Sequence, residues 1–333
     1  MPTTALVIET NNLRGGDADA HRVAASLRGL LHDLRDQTRR LTSLDELIVT
    51  HDGLPRELWR DLEAAAERPI QFVRLPPDTD YYLAKNIGFA ATTAEVVVFA
   101  DSDCRPVPEW LDGLLAPFDD PDTHVVAGRT TYRDDVLGIA ATTIDFMYFP
   151  TPRGPGYTRN FYANNVAFRR DVFAPREFPL DTAIYRGPCQ VLGLQLYDAH
   201  IPIRFEPRAR TIHKFPDRRR QLAKLRLLRG QDTAEFTRYL ARRSLPRGLR
   251  WLGAIGPLSA LVVLTARFTF SLRSIGDQDM PPVRGVAWLR TVGWIAAISA
   301  ADAAGAFARG VKLLVPRRGG AHSNTVLSYH ART

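Results

Sequence analysis

The amino-acid sequence predicts an α/β fold with a parallel, doubly wound sheet in its first part, and two observations carry that expectation. Short apolar runs at residues 5–8, 47–49, 70–75 and 96–100 alternate with stretches of helical periodicity. Three of the runs end in polar clusters: Glu9-Thr10-Asn11-Asn12, Thr50-His51-Asp52-Gly53 and Asp101-Ser102-Asp103. Open sheets of this kind bind ligands beyond the carboxyl ends of their strands, so those clusters mark the candidate site.

The elements follow in order. Residues 5–8 are apolar throughout, as a strand covered on both faces must be. Val23, Leu27, Leu30, Leu31 and Leu34 recur at intervals of three and four, which is a helix. Residues 47–49 form the second strand, a helix around 58–66 leads to the third at 70–75, and helix returns at 84–91 before the strongest strand, 96–100. After about residue 120 the alternation weakens, as expected where a parallel half gives way to a mixed sheet. Pro150, Pro152, Gly154, Pro155 and Gly156 make 150–160 a loop.

Composition bounds the rest. The 333 residues are 45% hydrophobic and 24% charged, which excludes a disordered chain, and two cysteines, Cys104 and Cys189, exclude a disulfide scaffold. No short apolar leader follows Met1, so a reducing cytoplasm is expected. The net charge of +8 is divided unevenly: residues 204–333 hold 24 basic against 7 acidic residues, and residues 1–203 hold 20 against 29. A polyanion or an anionic membrane is therefore expected at the C-terminal side. Residues 218–243 read as a basic amphipathic helix or helix pair with Leu222, Leu225, Leu228, Phe236, Tyr239 and Leu240 on the apolar side, either solvated or laid on a membrane.

Residues 251–266 and 291–301 carry no charge before Asp302 interrupts. Two spans, about 250–272 and 287–309, are one reading, with Arg267, Arg290 and Arg309 reaching toward headgroups. An interfacial helical pair, favoured by Trp251, Trp288 and Trp294, and a soluble helical cap are the others. Arg247, Arg250, Lys312, Arg317 and Arg318 would keep both ends of a hairpin on the cytoplasmic face of the cell membrane. No groove-reading or aromatic-interleaved motif accompanies the arginines, so nucleic acid is not expected as a partner.

Two carboxylates one residue apart at a strand mouth, Asp101 and Asp103, suit a divalent cation, Mg²⁺ or Mn²⁺, that also binds a diphosphate. With that motif four segments stand in order: 6–12 (LVIETNN), 84–90 (AKNIGFA), 98–103 (VFADSD) and 164–170 (NNVAFRR). Together they resemble the family 2 glycosyltransferases of GT-A fold, over about residues 4–216. Residues 1–216 are then expected as the GT-A domain, 217–250 as a basic helical linker and 251–333 as an apolar helical hairpin with a basic tail.

The resemblance implies site roles. Thr10 and Asn12 would meet the base and ribose, with Glu9 where the family more often has proline, and Asp52 or Thr50 would stand at the acidic position that reads the base or ribose. Lys85 and Asn86 would face the diphosphate, Asn86 at a helix start. Asp101 would contact ribose or metal and Asp103 would be the main metal ligand, with His213 a third. Asn164, Asn165, Arg169 and Arg170 would lie on the acceptor side.

One segment departs from the family pattern. Inverting relatives open a helix with Gly-Glu-Asp, whose acid deprotonates the acceptor, and here the stretch reads Gly187-Pro188-Cys189. Proline has no ionisable group, and a thiol of pKa about 8.5 must first be activated. Asp181 is the nearest acid able to replace that base and Asp145 a more remote one; a retaining mechanism would need neither. The expected function is metal-assisted transfer of a sugar from a nucleotide-diphosphate sugar to a hydroxyl on a lipid-linked, polysaccharide or glycoside acceptor. The alternative is a non-catalytic nucleotide-sugar-binding or scaffold protein at the membrane.

Overall fold

The computed structural model describes residues 2–10, 20–76, 79–180, 187–216, 218–244, 246–248, 256–277 and 280–314. Asn12, Asp181, Arg250, Trp251, Arg317 and Arg318 lie outside the described residues.

The first part is the expected alternation: β1 (Thr4–Glu9), α1 (Ala20–Arg35), β2 (Glu46–His51), α2 (Trp59–Ala66), β3 (Gln71–Arg74), α3 (Tyr81–Ala90) and β4 (Val96–Asp101). There follow β5 (Cys104–Pro106), α4 (Trp110–Leu115), β6 (Val125–Thr131), α5 (Val136–Asp145), β7 (Tyr157–Thr158), β8 (Asn165–Arg169), α6 (Arg170–Phe173), α7 (Pro188–Asp198) and β9 (Ile203–His213). The strands form one sheet in the order β3-β2-β1-β4-β8-β6-β9-β5, with β7 paired to β9. β3, β2, β1 and β4 run parallel, and β8 joins β4 antiparallel, so the sheet becomes mixed where the sequence pattern weakens.

Successive strand residues point to opposite faces, and each face has its own core. Leu6, Ile8, Val96, Val98 and Ala100 pack with Leu27, Leu31 and Leu34 of α1. Ala5, Val7, Val97 and Phe99 pack on the other face with Tyr82 and Phe89 of α3 and Leu192 and Leu196 of α7. The apolar runs are thus buried twice over, which is why they lack alternation.

Three helices follow among the described residues: α8 (Arg219–Ser244), α9 (Ser259–Ser274) and α10 (Gly285–Leu314). α10 is the one helix among the described residues long and apolar enough to cross a membrane, and 39% of that stretch is buried in the protein. Of the two expected spans, the first, about 250–272, begins outside the described residues; its described helix, α9, has 16 residues, and its Arg267 bonds Asp302 of α10 at 3.0 Å. Both helices pack on the sheet domain, with Ile275, Ile295 and Ile298 set against Tyr132, Ala140, Ala141 and Ile144.

The inward face of α8 also differs from the expected leucine side. The line buried is Arg226, Gly230 and Ala234, one residue per turn. Arg226 is accommodated there because Asp145 and Asp302 neutralise it at 2.6 Å each. Gly230 is required because any Cβ would collide with the Asp302 carbonyl, and Gly305 of α10 stands in the same relation to Leu227. The two backbones therefore cross in close contact.

Candidate functional site

The site forms where β1, β2 and β4 end. Glu9 is level with Thr50 on one side and Asp101 on the other. The Thr10 hydroxyl donates to the Thr50 carbonyl at 2.6 Å, which ties two strand ends together. Beyond β2 the buried His51 accepts the Leu54 N–H at 3.1 Å, and the chain turns so that Asp52 is exposed.

Two side chains of one helix donate to Asp101. Lys85 Nζ donates to its Oδ1 at 2.6 Å, and the Tyr81 hydroxyl donates to Oδ1 and Oδ2 at 3.1 and 2.9 Å. Both donors come from α3, which begins where the Asp80 carboxylate caps the Tyr82 N–H at 2.9 Å. The helix therefore starts three residues earlier than the periodicity indicated, and Asn86 stands in its second turn rather than at its start. The Asn86 amide bonds both ways to the backbone of Phe178, at 2.9 and 3.1 Å, which anchors a loop. Lys85 is fully buried against Asp101 and the Ala100 carbonyl, so its charge acts through that carboxylate.

Asp103 meets His213 because β5 and β9 pair antiparallel with Cys104 opposite His213. His213 Nε2 lies 3.8 Å from Asp103 Oδ1, and its Nδ1 lies 2.9 Å from the Lys214 carbonyl. A carbonyl only accepts, so Nδ1 carries a proton there, which leaves Nε2 as the ring atom that faces Asp103. One donor atom from each of Asp101, Asp103, Cys104 and His213 lies within 4.8 Å of the others. Burial raises the Asp103 carboxyl, His213 opposes the rise and Asp101 adds to it. Two neighbouring buried carboxylates resist ionising together, and a divalent cation removes that penalty. Two carboxylates and an imidazole suit Mn²⁺ or Mg²⁺. The Cys104 thiol, pushed well up chiefly by burial, stays protonated and accepts the Asn164 amide at 3.6 Å, so it lines the site as a neutral group.

The segment expected on the acceptor side is divided. Asn164 is beside the cluster, accepting from the Thr130 hydroxyl at 3.2 Å. Asn165 is fully buried, its Oδ1 accepting from Trp110 at 2.8 Å and its Nδ2 donating to Ala209 at 3.0 Å. Arg169 corrects the expectation. Antiparallel pairing sets Asn165 opposite Ala100 but Arg169 opposite Val96, at the other end of β4. Its guanidinium donates to the carbonyls of Thr123, Phe118 and Asp120, and Arg170 bonds Ala94 and Thr92. Neither arginine reaches the cluster.

At the start of α7, Cys189 is buried and accepts from the Tyr82 hydroxyl at 3.4 Å, and burial pushes its thiol up. Asp145 is withdrawn as a base. Burial alone would raise its carboxyl, but Arg226 and then Arg229 hold it far below the usual carboxylate range. A carboxylate so stabilised takes no proton from a hydroxyl. Sequence reasoning missed Tyr81 and the aromatic wall of Tyr132 and Phe146 around His213, with ring centroids 5.9 and 6.0 Å from the imidazole. The Tyr81-Tyr82 pair directly before the helical run was the available signal for the first.

Residues 19–177 match the model of Glycosyl transferase family 2. Over 225 residues the chain is 27% identical to the Pre-mycofactocin glycosyltransferase of Mycobacterium tuberculosis, in strains CDC 1551 / Oshkosh and ATCC 25618 / H37Rv. That alignment covers 66% of this chain and 43% of those proteins, so the chain matches less than half of its curated relatives' length. Among solved structures it resembles the mannosyltransferase PcManGT from Pyrobaculum calidifontis in complex with GDP-Man and Mn²⁺, with a TM-score of 0.60 at 16% identity, covering 92% of this chain and 87% of that one. It also resembles GalNAc-T7 with UDP, GalNAc and Mn²⁺, with a TM-score of 0.50 at 14% identity over 74% and 52% of the two chains. At these identities the likeness establishes the fold, which is GT-A.

Proposed function

We propose that this chain, a member of glycosyltransferase family 2, transfers a hexose from a nucleotide-diphosphate donor to an acceptor hydroxyl at a membrane surface. The observation that carries the reading is the gathering of Asp101, Asp103 and His213 at the carboxyl edge of the parallel strands, where a GT-A fold binds its nucleotide. Those three residues would hold Mn²⁺ or Mg²⁺, which supplies charge stabilisation to a departing diphosphate. Lys85 and Tyr81 orient Asp101, and Asn164 and Cys104 wall the cluster. Thr10, Asn12 and Asp52 are proposed for the base and ribose, and Asp181 for the acceptor proton. The solved neighbours were captured with GDP-Man and with UDP and GalNAc, which supports a nucleotide-sugar donor without choosing the base.

The membrane part rests on surface chemistry. Leu261, Val286 and Leu289 are 61%, 66% and 63% exposed, with Trp288 and Trp294 exposed beside them. Arg273, Arg284 and Arg290 are exposed at the end where α9 leads into α10. A crossing by α10 would carry the guanidinium partners of Asp302 toward hydrocarbon, so we place α9 and α10 along the interface, facing an anionic leaflet. The lipid-linked class of acceptor follows from that placement.

The test is donor hydrolysis or transfer by the full chain with Mn²⁺ and a panel of UDP-, GDP- and TDP-hexoses. Turnover with one donor supports the reading, whereas binding without turnover of any donor favours the scaffold alternative, which Pro188 and Cys189 at the usual acid positions would then explain. For the surface reading, release from anionic vesicles by alkaline carbonate is expected, and resistance to release would show a span.

A further inference from the structure

We propose that Tyr132 is a positioning residue that couples the three C-terminal helices to the metal-binding histidine, making those helices a structural wall of the site rather than an appended anchor. The inference rests on the metal reading of Asp101, Asp103 and His213 and goes beyond it.

The route is continuous. Asp302 of α10 accepts from Arg226 Nε and Nη2 at 2.8 and 2.6 Å and from Arg267 Nη1 at 3.0 Å. Arg226 Nη1 then donates to Asp145 Oδ1 at 2.6 Å, at the C-terminal end of α5. Asp145 Oδ2 pairs with Arg229 and accepts the Tyr132 hydroxyl at 3.0 Å, while Arg229 Nη2 donates to the same hydroxyl at 3.2 Å. At the other end of that side chain the Tyr132 ring stands edge-on to His213, with centroids 5.9 Å apart at 85°. Phe215, 4.9 Å from Tyr132, and Phe146, 5.0 Å from it, close the cage.

The chemistry of Tyr132 fits positioning and not reaction. Burial, chiefly, pushes its hydroxyl up, so it remains a donor held between a carboxylate and a guanidinium. Among the described residues of the cluster, its ring contact is with the His213 imidazole. Among the described residues the imidazole has one hydrogen-bonded anchor, the Lys214 carbonyl, so its tilt about that bond is set by the rings packed against it. Groups that orient a metal-bound histidine are commonly worth about 10–100-fold in metal affinity. A contact that acts through the histidine must lose its value once the histidine is gone.

The experiment measures Mn²⁺ affinity of the full chain by electron paramagnetic resonance of free Mn²⁺, with melting temperature recorded for every variant. Tyr132→Leu is expected to weaken Mn²⁺ about tenfold or more, near the effect of His213→Ala. Tyr132→Phe keeps the ring and releases it from the ion pairs, so a smaller loss in the same direction is expected from a variant that folds readily. The double variant Tyr132→Leu with His213→Ala is expected to bind no more weakly than His213→Ala alone. Additive losses, or an unchanged affinity in both Tyr132 variants while His213→Ala weakens binding, overturn the inference alone. Unchanged affinity in Asp103→Ala and His213→Ala overturns the metal reading and the inference with it.

Discussion

Two buried clusters of charge sit on either side of Tyr132, and they are compensated in opposite senses. At the strand mouth, Asp101 pairs with Lys85 at 2.6 Å, while Asp103 has His213 at 3.8 Å and the field of Lys214. Where the C-terminal helices join the sheet domain, Asp145 and Asp302 face three guanidiniums, those of Arg226, Arg229 and Arg267. Burial chiefly, with Asp101 adding to it, raises Asp103, whereas Arg226 and Arg229 overcome the same burial and hold Asp145 low. The first arrangement is suited to taking up a cation and the second to holding elements together. Neutralising a carboxylate should therefore relieve strain in one cluster and cause it in the other.

The sharpest break of the comparison is Asp302→Asn. It leaves Arg226 and Arg267 buried with reduced compensation, and a loss of about 3–5 kcal/mol is expected. Urea unfolding of the full chain checks this, and added Mn²⁺ should stabilise the variant no more than it stabilises the unsubstituted chain, since the metal does not replace the missing charge.

Asp103→Asn should do the reverse. Turnover with the active donor is expected to fall about 10²–10³-fold, the scale for removing one charge-stabilising group. The melting temperature without metal should hold or rise, because a carboxyl already raised by burial no longer has to ionise. A drop in melting temperature as large as that of Asp302→Asn would mean that the two clusters do the same work.

Lys85→Met sharpens the comparison inside the site. The lysine is fully buried and 2.6 Å from Asp101, so its removal should cost about 3 kcal/mol of stability. Here Mn²⁺ is expected to stabilise the variant more than the unsubstituted chain, since it supplies a cation beside Asp101 where the lysine is missing. A ligand that binds only the folded state stabilises it by an amount that grows with the logarithm of concentration over Kd. Thermal melts with and without Mn²⁺ would check it, and equal losses in both would place Lys85 with the structural arginines.

The legible and the illegible parts of the chain divide along the same line. β1 and β4 are read directly because strands buried on both faces leave continuous apolar runs, and Asp101 and Asp103 are read because they end one. His213 is adjacent only through the β5–β9 register, which no local pattern encodes. Arg169 illustrates the converse: on an antiparallel strand a residue four positions along lies roughly 13 Å away, so sharing a motif with Asn165 does not mean sharing a site. Arginine is ordinarily a surface residue, so no local pattern marks Arg226 as buried among acids. What the sequence did contain was Asp302, one acid inside an uncharged helix, and a lone acid there requires a buried cation.

The gentlest test needs no change at the site. Because Asp145 is held below its unfolded value of about 3.9, its contribution to stability is fully present above that pH and is lost as pH falls toward the folded value. Unfolding free energy should therefore decline below about pH 4, with a slope approaching 1.4 kcal/mol per pH unit from this group alone. Asp145→Asn should flatten that limb while lowering stability at neutral pH, because the arginines then lack their partner. The Asp103→Asn variant should leave the limb in place. If the limb survives Asp145→Asn, acid sensitivity originates outside the helical joint, and the joint owes its hold to apolar packing of Ile295 and Ile298 rather than to its ion pairs.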